Sequence, residues 1–258
     1  MIFTRHKKRF LKGFISGGKD LNFEMALINN QGPNLLMIGG TGRSGTTLLS
    51  EIIAQHPDVA NVPEWRFLVD PDGVLDYYVS SRNNWSPYHS HVRIKRLRSV
   101  LEDVTNQSTS KFIYKVLRTL NKSSRRVLVP RYNNISCSDY SFNFSNHVSI
   151  LLNELTQFEY EGYWSGSEFL DKKNMFYGQK DIEKICSALR LFLSEVYSEV
   201  VTAQGKSFYL EKNTWNILWF KDLLELYPNA KLIHIIRDPR DVLLSYTKQT
   251  WVPDDLLR

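Results

Sequence analysis

Residues 35–49 read LLMIGGTGRSGTTLL, and the fold turns on them. Leu35 to Ile38 is a continuous apolar run of strand length, too short for a helix. Gly39, Gly40, Gly42 and Gly45 follow. Glycine tolerates positive φ and close backbone approach, so this turn can wrap tightly around a ligand. Thr46, Thr47, Leu48, Leu49, Ile52 and Ile53 then open a pattern with a helical apolar face. A strand, a glycine turn and a helix start aim free backbone N–H groups and the positive dipole end at one spot. That spot suits a phosphate.

The nearest general template is G-x-x-x-x-G-K-[ST]. Gly40 and Gly45 have its spacing, and Thr47 fills the Ser/Thr place. The lysine place holds Thr46. A nucleoside triphosphatase needs that lysine on the β- and γ-phosphates. The fixed cation here is Arg43, earlier in the loop. The loop is therefore expected to hold a phosphate while the transferred group is handled differently.

GRSGTTLL, followed by His56-Pro57-Asp58-Val59 and then Glu64, resembles the 5′-phosphosulfate loop of sulfotransferases. These enzymes use 3′-phosphoadenosine 5′-phosphosulfate (PAPS). The likeness is closest to the tyrosylprotein and Golgi carbohydrate branches and their bacterial relatives. It implies that Gly42, Arg43, Ser44, Gly45, Thr46 and Thr47 hold the 5′-phosphosulfate. It also implies that Glu64, at this offset from Arg43, takes the acceptor's proton. Trp65 and Phe67 stand ready to desolvate that carboxylate. Arg66 is placed to orient Glu64 or the acceptor, or simply to be exposed. Lys212 matches a lysine that follows a strand in the tyrosylprotein branch, although Asn213-Thr214 departs from that branch. Arg237 and Ser245 fit the family's 3′-phosphate motif, an arginine at a strand end and a serine eight residues later. On this likeness Glu64, Arg43 and Lys212 are the catalytic candidates, and no metal is needed.

The chain has 258 residues, enough for one large α/β domain. Apolar residues make up 42% and charged residues 23%, as in globular proteins. The net charge of +6 suits an anionic cofactor and is too scattered to argue for nucleic acid. Cys137 and Cys186 lack metal spacing and read as free thiols of a reducing compartment. No segment has 18 consecutive apolar residues, so no transmembrane segment is expected. Residues 1–12, MIFTRHKKRFLK, are basic but lead into no apolar h-region. A solvated tail and a cytoplasmic protein are expected.

Residues 1–30 read as a lead-in and 31–258 as the sulfotransferase-like domain. The chain stops at Arg258, about a dozen residues after Ser245, where family members continue. The expected fold is α/β: a P-loop-like parallel sheet flanked by helices, in one domain. The first helix should run to about Gln55, with His56 favourable at its end, and Val59 to Arg66 should return to the sheet edge. His91 to Leu101 reads as a helix with a solvated basic face, and 131–147 as a loop. Tyr160, Tyr163, Trp164 and Phe169 form an aromatic cluster that suits either an acceptor pocket or a core lid.

Ile182, Ile185, Leu189, Phe192, Leu193, Val196 and Val200 give a strong amphipathic helix after Asp181, ended at Gly205. Ser207 to Leu210 reads as a strand, and Glu211 to Thr214 as its loop. A helix over 215–226 follows. KLIHII, 231–236, reads as a buried strand with His234 in the core. Asp238 and Pro239 then cap and start a helix.

The expected reaction moves a sulfonyl group from PAPS to a hydroxyl on a carbohydrate, a tyrosine or a small alcohol. Two rivals stand beside it. One is a P-loop kinase or nucleoside triphosphatase with Asp238 ending a Walker-B-like strand. The other is a non-catalytic fragment of sulfotransferase ancestry.

Overall fold

The computed structural model describes residues 32–105, 137, 140–162 and 175–249. The expected boundary at residue 30 lies outside them, as do Tyr163, Trp164 and Phe169 of the aromatic cluster.

Strand β1 (Asn34–Gly40) lies inside a four-stranded parallel sheet. Its partners are β5 (Phe208–Lys212) and β6 (Lys231–Ile235), and β2 (Val59–Asn61) pairs with β5 at one edge. The strand order is β2-β5-β1-β6, so the chain crosses over repeatedly and helices must cover the faces. This is the α/β parallel sheet flanked by helices that the sequence predicts.

Strand residues alternate between faces, and here the two faces differ. Leu35, Met37, Ala60 and Tyr209 enter a large core. Opposite them sit α2 (Val74–Asn83), α3 (Pro87–Thr105), α4 (Phe144–Leu155) and α5 (Ile182–Ala203). Ile38, Val59 and Leu210 face the other way, into a small cluster with α1 (Thr46–Ile53). A short antiparallel pair, β3 (Thr156–Tyr160) and β4 (Met175–Gly178), lies against α3.

Helix α5 forms for legible reasons. Asp181 accepts hydrogen bonds from the backbone N–H groups of Glu183 and Lys184, which closes the N-terminus. Ile185, Leu189, Phe192, Val196 and Val200 recur on one side and are buried. Each such side chain contributes about 1.5–3 kcal/mol. Gly205 then takes φ +62° and releases the chain.

Several expectations need correction. Helix α4 begins at Phe144, inside the stretch read as loop. Phe144, Val148, Leu151, Leu152 and Leu155 form its buried stripe, which the Asn- and Ser-rich surroundings disguised. The basic face of α3 is not merely solvated: Arg93 pairs with Asp76, and Arg96 with Asp72. The 215–226 helix is split into a 3₁₀ turn, Thr214–Trp219, and α6 (Phe220–Leu226). The tight turn is tethered to β1, because the Asn213 N–H and Asn216 Nδ2 both donate to the Ile38 carbonyl.

β6 is an edge strand, only partly buried, and Ile236 beyond it is 80% exposed. His234 is exposed rather than in the core, its ring edge-on to Phe220. The outward residues of α1, Leu48 and Ile52, are exposed as well. β5 runs two residues further than expected, so Glu211 and Lys212 belong to the strand and not to its loop. Among the described residues neither Cys137 nor Cys186 forms a disulfide. Among the described residues no helix is long and apolar enough to cross a membrane.

Candidate active site

In a parallel sheet, loops at the carboxyl ends of the strands share one side, and ligands bind there. β1, β5 and β6 end together at that side, so the glycine loop, Lys212 and Arg237 become neighbours.

The loop enters α1 through Gly45, at the N-cap with φ +106°. No side chain caps this end. The first N–H groups of α1 therefore remain available to an anion. Arg43 also has positive φ, +66°, a conformation that costs an L-residue about 1 kcal/mol or more. It is held from two directions. Its Nε donates to Ser245 Oγ at 3.1 Å, and its carbonyl accepts from Arg237 Nη1 at 3.2 Å. Ser245 lies on α7 (Pro239–Tyr246), which Asp238 caps by accepting from the Arg240 N–H. A Cβ on Gly42 would collide with the Tyr246 hydroxyl, so α7 packs directly on the loop. The two sequence motifs, 202 residues apart, thus form one structure.

Across the cavity, Lys212 Nζ meets Glu64 Oε2 at 2.5 Å. Trp65 and Phe67 do not wrap the carboxylate; both rings are buried in the large core and anchor the segment. The Glu64 side chain stays 34% exposed. Arg66 donates from Nε to Asp70 at 3.0 Å and lies over the Trp215 ring, 5.3 Å from its centroid.

These groups surround a single cavity of about 940 Å³. Gly42, Arg43, Gly45, Thr46 and Thr47 form one wall. Glu64 and Lys212 form another, and Arg237 and Ser245 a third. The volume falls in the usual range for a small-molecule or cofactor site. Arg43, Arg66, Lys212 and Arg237 outnumber Glu51 and Glu64 on its walls, so the cavity favours an anion.

Ser44 is the exception among the expected residues. Its side chain is buried with an unpartnered Oγ, and its N–H donates to the Thr41 carbonyl at 3.2 Å. It closes the turn instead of lining the cavity. His56 is exposed just past α1, where Nδ1 accepts from the Asp58 N–H. Sequence reading missed Trp215, Thr214, Glu51 and Tyr246 as wall residues. Trp215 carried the only signal, a large aromatic one residue beyond a strand-end loop. It also missed Glu211, which is buried beside Lys212 in the sequence.

A model of the sulfotransferase family matches residues 33–254. The chain belongs to the sulfotransferase family, and its class of activity is group transfer. Searches of the curated proteins and of the solved structures return no match.

Proposed function

We propose that this protein transfers a sulfonyl group from PAPS to a hydroxyl acceptor. One observation carries the reading. The glycine loop and the Arg237–Ser245 pair interlock through Arg43, and they share a cavity with the Glu64–Lys212 pair. A donor with phosphate at both ends of a nucleoside needs two anion sites on one rigid frame, and this arrangement supplies them.

PAPS would supply the sulfonyl group, carried on its 5′-phosphate. The α1 N-terminus and the loop N–H groups would hold the 5′ end, with Arg43 as the fixed cation. Arg237 and Ser245 would hold the 3′-phosphate. Thr46 and Thr47 add hydroxyls at the helix start.

Lys212 holds Glu64 in an ion pair as the site stands, and the ammonium occupies the carboxylate oxygen that would meet an acceptor. An anionic donor competes for the Lys212 ammonium. As Lys212 turns to the donor, Glu64 is freed to take the acceptor's proton. The acceptor oxygen bonds to sulfur, the bond from sulfur to the 5′-phosphate oxygen breaks, and Lys212 steadies the negative charge left there. Adenosine 3′,5′-bisphosphate and a sulfate ester are the products. Positioning and fixed charge would supply most of the acceleration. The acceptor class stays open among carbohydrates, tyrosine and small alcohols.

The phosphotransfer rival is weaker on structural grounds. Thr46, in the P-loop lysine's place, is buried. Asp238, the Walker-B candidate, caps its own helix and pairs with Arg240 instead.

Calorimetry with adenosine 3′,5′-bisphosphate and with magnesium–ATP tests the choice. Micromolar bisphosphate binding, about 8 kcal/mol, is expected, and Arg43→Ala should abolish it. Preference for magnesium–ATP would overturn the reading in favour of a nucleoside triphosphatase. Silence from both ligands would favour a non-catalytic chain.

A further inference from the structure

The segments that carry Glu64 and Lys212 meet twice. Glu64 and Lys212 form the ion pair. Just past them in each segment, the Arg66 guanidinium lies over the Trp215 ring, 5.3 Å from its centroid. All four residues line the cavity, while Trp65, between Glu64 and Arg66, is buried in the core. The Arg66–Trp215 contact is thus a second rung beside the ion pair. Two residues of chain span at most about 7 Å, so both rungs lie within reach of one small ligand. Trp215 is held firmly. Its N–H donates to Asn213 Oδ1 at 2.9 Å, and its 3₁₀ turn is tied to β1 through Asn216. Arg66 is fixed in turn by Asp70, whose side chain is buried. The indole nevertheless stays 41% exposed. A large aromatic, held rigid on a cavity wall and left uncovered, is a platform for a ligand.

We propose that Trp215 is the specificity-determining residue for the acceptor, and that the acceptor is a neutral carbohydrate. A pyranose ring lies against the indole, one hydroxyl bonds to Arg66, and another is presented to Glu64. The inference rests on the sulfotransfer reading and names the acceptor class for it.

Charge decides among the acceptor classes. Arg66 is paired with Asp70 and Lys212 with Glu64, so this wall holds no surplus cation for an acidic acceptor. Glu51, on α1, adds a carboxylate to the cavity. The positive surplus lies with Arg43, which is bonded to a hydroxyl at the donor end. Beside the indole the wall offers groups that donate and groups that accept. Arg66 spends its Nε on Asp70, and its terminal amino groups remain for a ligand. A sugar ring matches this wall, with C–H groups for the indole and several hydroxyls at its rim. A small aliphatic alcohol would leave the aromatic face unused. A tyrosine side chain would stack, but its one hydroxyl is the reacting one and leaves nothing for Arg66.

The test follows the Trp215 indole N–H by NMR in the full chain saturated with adenosine 3′,5′-bisphosphate. The signal is identified by its loss in Trp215→Phe. The probes are methyl β-glucopyranoside, lactose and N-acetyltyrosinamide. The sugars should shift the signal saturably at millimolar concentration. Ligand-observed NMR then gives the sugar affinity of the variants. Trp215→Ala should weaken it about tenfold. Trp215→Phe, which keeps an aromatic face, should retain most of it. Bisphosphate affinity should be the same in all three proteins. A stronger response to N-acetyltyrosinamide than to either sugar would overturn the proposal, as would no response to any probe. A fall in bisphosphate affinity in Trp215→Ala would overturn it too, by putting the adenine on the indole. If Trp215→Ala does not fold, the wild-type shift and Trp215→Phe decide. If the bisphosphate does not bind the wild type, the sulfotransfer reading fails, and the sugars titrated alone still test the platform.

Discussion

The two faces of the sheet divide the labour of the molecule. The face toward α2, α4 and α5 carries the deep core, with Trp65, Tyr209, Phe192 and Val196 essentially out of solvent. The face toward α1 is thinly covered, with Leu48 and Ile52 exposed and a small apolar cluster beneath. The cavity lies at the strand ends, walled by the loop and α7. Burial stabilises one side, and the other side is left polar, strained and open. A substitution on the core side should therefore change stability first, and one in the loop should change binding first.

Trp65→Ala is the strongest way to break this comparison. Its ring is 1% exposed and meets Phe67, Tyr140 and Tyr209. Truncation should cost about 3–5 kcal/mol, read as a lower urea midpoint. Bisphosphate affinity, corrected for the unfolded fraction, should fall far less. If affinity collapsed while the midpoint held, the division between the faces would be wrong.

Glu211→Gln gives a smaller effect with a definite sign. Burial pushes the folded-state carboxyl up to about 8, above its ordinary value of 4.5. The folded form therefore keeps a proton that the unfolded form gives up. The stability tied to that proton is whole below about pH 4.5 and is lost as pH rises toward about 8. Glutamine has no such dependence. Relative to the wild type, the variant should gain on the order of 3 kcal/mol between pH 4 and pH 7. Parallel pH–stability curves for the two proteins would mean that Glu211 is ionised when folded.

The loop and its neighbours were legible because their signals are local. Glycines bunched after an apolar run leave few alternatives, and Asp238-Pro239 and Asp181 announce helix starts by cap chemistry. Glu211 was read as a loop residue and His234 as a core one; each sits in a strand, and burial there depends on partners elsewhere in the chain. β5 lies between β1 and β2, so Glu211 is enclosed. β6 is an edge, so His234 is not. Strand order is a property of crossovers, which no window of residues encodes. Ser44 differs from its neighbours in where its side chain goes. Its neighbours reach the cavity, but the turn to Thr41 tucks its own side chain underneath.

Arg43 offers the finest test, because both sides of the comparison meet in one residue. Its φ of +66° costs free energy that glycine would not pay, yet its guanidinium sits on the cavity wall and grips Ser245. Arg43→Gly keeps the turn, relieves the strain and deletes the cation. Relief is offset in part by the added backbone freedom of the unfolded chain and by the lost hydrogen bond to Ser245. The net change in stability should be within about 1 kcal/mol of zero, measured by urea unfolding. Bisphosphate binding should fall at least as far as in Arg43→Ala, because the alanine variant loses the same cation but keeps a stiffer loop. A loss of several kcal/mol in stability would show that Arg43 holds α7 in place. Nearly unchanged stability together with abolished binding would show that its strain is kept for the ligand.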